Sequence, residues 1–534
     1  MPPFHRPVFD FAEETLFHRC RDAFNLRRVD ENDILKLALI LFLFSIVGPF
    51  LGLLIKNRPT IQKYVFAAMV FMTISGFLKP AEWGLTILFD PNYSGHARGF
   101  HFFFNEVPAI ALIVARFLEA PRSFRWLPPG LMLYLLYIAA SALSLVNAPD
   151  KIFFAMAALK SVKVTLIFLA GYQFLKGDEE LHFFFKTMSI TALWECVVVL
   201  KMKYLNGLYQ VSGTFEHQNS LSMYFTMLGM LLLALGSAAR HKNSYWYLAG
   251  FLACAITVQS TLSRAGLVIF AAGTTGVLLL GLIDKITVRR VAVMTALAII
   301  GAIGLAFTLD TILKRFNDQY NEASNFTRID LNNASRAMLR DHALGVGWNN
   351  YGITINHPYK YGDVIEERSR KFGEIIDKKH KKGISESHYF LLLAETGYPG
   401  FAAYLIFIGG FLWFNFRAFL KFRSQWWSAI SLGLAMGCLT NYLQSFLERV
   451  LTQPRNMMLW MLLLATASRI ELWRRKKRLE EKAAIQNSKI SPPQCGKPPD
   501  KSPGFDVKGT VARQDPMGVR TQPTMQLKKT SPSP

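Results

Sequence analysis

Residues 34–55 read ILKLALILFLFSIVGPFLGLLI, a stretch in which Lys36 is the only charged side chain. As a helix it rises about 33 Å, enough to cross the roughly 30 Å of bilayer hydrocarbon. An apolar stretch of that length can satisfy its backbone groups in lipid only as a helix or a closed barrel. Similar runs, about 14 to 23 residues long, occupy 64–78, 102–118, 127–145, 152–174, 183–200, 221–235, 245–258, 265–283, 291–307, 401–420, 426–446 and 457–473. The chain therefore reads as an all-α, polytopic helical membrane protein with 12 or 13 transmembrane helices. Its 51% hydrophobic content, with charge confined to short intervals, excludes an ordinary soluble domain.

The pattern divides the 534 residues into an interfacial lead-in at 1–33, a helix bundle at 34–309, one large external loop at 310–387, further membrane helices at 388–473 and a disordered basic tail at 474–534. The lead-in lacks the short apolar core and small-residue cleavage site of a secretory signal. Positive loops stay cytoplasmic. The basic loops Arg116–Arg125, Arg240–Lys242 and Lys285–Arg290 and the flank Arg474–Arg478 place the 310–387 interval on the opposite side. Both flanks of the first run are basic, with Arg27 and Arg28 before it and Lys56 and Arg58 after it, so the side of the N-terminus stays open.

A net charge of +23 invites a nucleic-acid partner, but its distribution argues against one. The tail from Arg474 holds 14 Lys and Arg against 5 Asp and Glu in a Pro- and Ser-rich segment with little to bury. The other cations lie mostly beside membrane helices, where they set topology and meet anionic lipid. The five cysteines, at 20, 196, 254, 438 and 495, form neither a disulfide framework nor a metal-ligand spacing. No phosphate-binding glycine loop and no HExxH motif occurs.

Four polar constellations lie at external helix ends. Gly213-Thr214-Phe215-Glu216-His217-Gln218-Asn219-Ser220 opens an apolar helix: Asn219 or Ser220 caps it, or His217 and Asn219 belong to an array for sugar hydroxyls or phosphate. Ser263-Arg264-Ala265-Gly266 puts an arginine at a membrane rim, where it either snorkels or finds an anion. From Arg328 to Gly347 a helix would align Arg328, Asn332, Arg336 and Arg340 on one face, either as a solvated basic face or around an anion. His388, at the end of the loop, precedes Glu395-Thr396-Gly397; it is either structural or a proton acceptor. Guanidinium groups stay charged and match phosphate oxygens with paired donors, so arginines at one rim suit an anionic head group.

Together these motifs, GTFEHQN, then SRAG, then Arg328 ahead of Asp341-His342 and Gly345-Val346-Gly347, then His388 with Glu395-x-Gly397-x-x-Gly400, resemble the O-antigen ligase and polymerase superfamily of bacterial inner-membrane glycosyltransferases. The resemblance covers roughly 207–410, with Ala343 where the family has Pro and Tyr389 where it often has Asn. It implies transfer of glycan from an undecaprenyl diphosphate carrier to lipid A core, a growing glycan or a protein at the periplasmic face. It also implies that no metal or cofactor takes part and that 310–387 is a periplasmic loop. Carried over by position, Arg264 and Arg328 would hold the diphosphate, with Arg336 the rival to Arg328. His388 would be the general base, and Arg336, Arg340, His217, Asn219 and Glu395 would bind substrate. A repeat-unit polymerase and a protein O-oligosaccharyltransferase share that donor chemistry. A polysaccharide or lipid transporter is the non-enzymatic alternative, and it would bury paired charges near the midplane.

Topology reporters check the charge pattern. A fusion after Gly347 should report from the periplasm and one after Arg478 from the cytoplasm, whereas a cytoplasmic Gly347 would contradict both the orientation and the expected chemistry.

Overall fold

The computed structural model describes residues 31–74, 84–238, 244–316, 320–356, 358–371 and 383–490. Residues 1–479 form one compact unit. Residues 480–534 form a second, of which the described part is the end of a helix. Most of the expected lead-in and of the tail lies outside the described residues.

The helices are α1 (Glu31–Ile55, with a π turn at Leu43–Val47), α2 (Pro59–Phe71), α3 (Glu106–Glu119), α4 (Leu131–Ala142), α5 (Lys151–Phe174), α6 (Asp178–Leu200), α7 (Gln218–Ala238) and α8 (Ser244–Thr261). They continue as α9 (Arg264–Asp284), α10 (Val288–Phe316), α11 (Tyr320–Asp341), α12 (Tyr351–Thr354), α13 (Asp363–Lys371), α14 (His388–Lys421), α15 (Trp426–Gln444) and α16 (Pro454–Ile490). A single antiparallel hairpin, β1 (Gly84–Ile87) with β2 (Phe100–Phe103), is paired Gly84 to Phe103 and Ile87 to Phe100. This is a helical membrane protein. Among the described residues, six helices are long and apolar enough to cross a bilayer by length and composition: α1, α5, α6 with its π turn, α7, α9 and α14.

Burial sorts these helices. α7 is enclosed almost all round by α8, α9 and α15, while α1 leaves Leu35, Leu41, Phe50 and Leu53 exposed, the surface a lipid-facing helix presents. Three expected runs are shorter as helices. In the run at 64–78 the helix ends at Phe71 and residues 75–78 lie outside the described residues, and that at 127–145 starts after Pro128-Pro129 and tightens into a 3-10 turn at Leu143–Asn147. The run at 102–118 begins as strand β2, and its helix starts at Glu106, whose buried carboxylate lies 3.0 Å from the Lys163 ammonium. Past Trp473, α16 continues to Ile490, so the stretch 474–490 that was expected to open a disordered tail is helical. Arg474 and Arg475 pair with Glu471 one turn back at 2.7 Å, which favours the extension.

The interval 310–387 is largely helical where described. α11 buries Leu331, Ala334 and Met338 against Ile355, Ile365, Ile384, Leu391 and Ala394, and so lies against the start of α14. α14 itself breaks at Gly397 (φ 65°, ψ −168°). Pro399 has no N–H for the carbonyl of Glu395, and the N–H of Tyr398 goes instead to Ala343 O at 3.0 Å. The two carbonyls thus orphaned are taken up by the glycine turn: Val346 N–H donates to Ala394 O (2.9 Å) and Gly347 N–H to Glu395 O (3.1 Å).

The approach leaves no room for side chains. A Cβ at Gly397 would overlap the Ala343–Gly345 backbone, and one at Gly345 (φ 86°) would overlap Glu395 and Gly397. Gly397→Ala should therefore lower thermal stability in detergent far more than Gly207→Ala. Gly207 also has positive φ (67°) but faces open space, so its substitution costs about 1–2 kcal/mol of backbone strain alone. Equal shifts for the two variants would refute the docking.

Candidate functional site

A cavity of about 520 Å³ opens where α7 and α9 begin, beside α11 and the turn between α15 and α16. It brings together four of the expected residues, Arg264, Arg328, His217 and Asn219, with Glu386 and Glu448. α7 begins one residue after His217, and it is the His217 imidazole Nδ1, in place of Asn219 or Ser220, that accepts the N–H of Asn219 at 3.2 Å. The Thr214 N–H and hydroxyl behind it are held by the buried Glu195 carboxylate at 2.7 and 3.0 Å, and Arg455 donates to Thr214 O at 2.6 Å. Ser263 caps α9 through the Gly266 N–H, which makes Arg264 the first residue of the helix at the cavity wall.

Arg328 does not stand alone in the cavity. Its Nε donates to Glu386 Oε2 and its Nη2 to Glu448 Oε1 at 2.9 Å. Burial opposes the charge on Arg328, but Glu386 and Glu448 outweigh it and raise the guanidinium above its ordinary value. Burial also pushes the Glu448 carboxyl up, against the pull of Arg328.

α11 is helical, as the four-residue spacing of Arg328, Asn332, Arg336 and Arg340 requires, and the row runs outward from the cavity. Asn332 accepts from Ser385 Oγ at 2.9 Å, Arg336 lies over the Phe390 ring at 5.1 Å, and Arg340 is exposed. Neither Arg336 nor Arg340 lines this cavity.

His388 and Glu395 line a second, smaller cavity of about 40 Å³, with His96, Lys160, Tyr404 and Trp460. Such a space holds one or a few waters. His388 is buried; its backbone N–H donates to Ser445 O at 2.9 Å, its ring lies edge-on to Tyr404, and its Nδ1 has no partner among the described residues. Glu395, two turns along the same face, is 1% exposed, with one oxygen 3.1 Å from His96 Nε2 and the other accepting from Tyr351 N–H at 3.4 Å. Its carboxylate is thus engaged inside the protein rather than presented to the larger cavity. Burial holds His96 below its ordinary pKa against the opposing Glu395 charge. The two cavities are neighbours: Glu386 lines one and His388 the other, so their Cα atoms are at most about 7 Å apart.

Lys160, His96, Glu448 and Arg449 escaped the sequence reading. Lys160 had a usable signal, a charge in the apolar run 152–174, as did Glu195 in 183–200. Lys160 donates to the carbonyls of His96 and Thr452, tying the hairpin loop to the α15–α16 turn. Nothing local marks His96, which reaches Glu395 only through the β1–β2 hairpin.

The Arg328 cluster should behave as a unit. Arg328→Ala strands two carboxylates and should destabilise the protein, and adding Glu448→Gln should restore part of the loss. A coupling of about 0.5–3 kcal/mol is expected in denaturation experiments on the single and double variants; simple additivity would show that the pair contributes nothing.

Residues 249–405, from within α8 to within α14, match the family model of the O-antigen ligases. No curated protein matches the chain. The matched segment carries Arg264, Arg328, His388 and Glu395, whereas His217, Asn219, Lys160, His96 and Glu448 come from outside it. Over this segment the chain is similar to the O-antigen ligases.

Proposed function

We propose that the protein transfers glycan from an undecaprenyl diphosphate carrier to an acceptor hydroxyl at the periplasmic face of the bacterial inner membrane, without a metal or cofactor. The observation that carries this reading is the adjacency of the two cavities: one holds Arg264 and Arg328, the other His388, and Glu386 to His388 joins them. Diphosphate oxygens would sit at the guanidinium groups, with Arg264 at the head of α9 and Arg328 released in part from Glu386 and Glu448. The acceptor oxygen attacks the anomeric carbon and the bond from that carbon to the diphosphate oxygen breaks. The hydroxyl proton passes to His388, and undecaprenyl diphosphate departs with the bonding pair. Charge develops on the leaving diphosphate, so guanidinium groups aimed there stabilise the transition state more than the ground state. His217 and Asn219, at the mouth of α7, are suited to sugar hydroxyls, and Arg336 and Arg340 on the outer face of α11 to an incoming anionic acceptor or donor.

Lipid A core is the acceptor this reading favours, with a growing glycan or a protein hydroxyl as alternatives of the same chemistry. A transporter fits less well. Arg264 and His388 open their helices, and the mid-span charges Lys163 and Glu195 are closed on Glu106 and Thr214. Analysis of lipid-linked and protein-linked surface glycans in a deletion strain separates the acceptors.

With purified donor and acceptor, Arg264→Ala and Arg328→Ala should each abolish transfer, and Lys at either position should restore only part of it, because a point charge cannot reproduce bidentate contact. His388→Ala should slow transfer by about 10²- to 10⁴-fold while donor binding persists. Chelator should leave the wild-type rate unchanged. A His388→Ala protein that turns over normally would remove this residue from the mechanism.

A further inference from the structure

We propose that Arg449 is a further donor-binding residue, the guanidinium that holds the diphosphate at the partition between the two cavities. The inference rests on the glycan-transfer reading and adds to it a residue outside the family-matched segment. The partition is the turn between α15 and α16. Leu447 and Glu448 line the larger cavity and Leu451 and Thr452 the smaller, which puts Arg449 on the divide.

The turn is tightly held. The N–H and hydroxyl of Thr452 donate to Arg449 O at 3.0 and 2.7 Å, Lys160 donates to Thr452 O, and Ser445 O receives the N–H of His388. Arg449 and His388 are therefore fixed by the same segment.

The Arg449 guanidinium has no acceptor of its own among the described residues. Among the described residues it makes no hydrogen bond, and no carboxylate lies within ion-pairing distance, whereas Arg328 in the same region is occupied by two. Burial disfavours its charge and Arg98 opposes it, while Glu386, Glu448 and Glu395 favour it at a distance. A half-buried guanidinium remains charged and is costly to leave unpaired. Phosphate oxygens arriving from the larger cavity supply the missing acceptors, and they do so beside the turn that carries His388.

The test uses the full-length protein in lipid nanodiscs, with initial rates measured against donor concentration and inhibition by undecaprenyl diphosphate. Arg449→Gln should raise the donor KM and the inhibition constant of undecaprenyl diphosphate together by about 10- to 100-fold, the loss expected for hydrogen bonds to a charged group. The acceptor KM and thermal stability should stay near wild type, and Arg449→Lys should recover part of the loss. Donor KM and product inhibition both within about twofold of wild type would overturn the proposal. Should Arg449→Gln fail to fold, Arg449→Lys supplies the same comparison. Direct binding of undecaprenyl diphosphate keeps the two readings apart. Wild type that binds it but transfers no glycan contradicts the transfer reading, while equal binding by wild type and the variant contradicts the role of Arg449.

Discussion

Pro399 has no amide hydrogen, and the rest of the site depends on how that vacancy is filled. The helix that starts at His388 cannot close its ladder past Glu395, and the two free carbonyls are met by the Val346 and Gly347 N–H groups. Because Gly345 and Gly397 lack side chains, the backbones touch, and the end of α11 is pinned to the middle of α14. That contact sets the register in which Arg328 reaches Glu386 and Glu448 and in which Glu395 reaches His96. A break in a membrane helix is tolerated where neighbouring backbone satisfies it, and here the turn at Val346 and Gly347 does so.

The buried charges follow the same logic. Glu106 with Lys163, Glu195 with Thr214 and Glu395 with His96 each close inside the protein, as apolar surroundings demand, while Arg328 pairs with two carboxylates at the wall of the larger cavity. These networks draw on the whole chain. The family-matched segment contributes the arginines and the histidine, while the hairpin loop, α5 and the α15–α16 turn complete the walls around them. Against that background Arg449 has no ion-pair partner among the described residues, which is the ground for assigning it to the donor.

Much of this was legible in the sequence because hydrophobic length and charge placement are one-dimensional signals. The run at 34–55 became α1, and the four-residue spacing of Arg328, Asn332, Arg336 and Arg340 became one face of α11. The sequence could not say that this face runs from a cavity into solvent, since that depends on α14 lying alongside. That Glu395 is held by His96 was not legible, because the two lie 299 positions apart. The shortened helices at 64–78 and 102–118 show the opposite limit: an apolar run marks what is buried or lipid-facing, not where its backbone stays helical. In 102–118 the pairing of Phe100–Phe103 with Gly84–Ile87 overrode the run.

The most direct measurement is a cryo-EM structure of the protein in nanodiscs with undecaprenyl diphosphate bound. The two cavities should act as one site, with phosphate density at Arg264 and Arg449, the Arg328 to Glu386 contact loosened, and the glycan-bearing end directed toward His388. Phosphate density away from both cavities, or at the opposite membrane face, would contradict this.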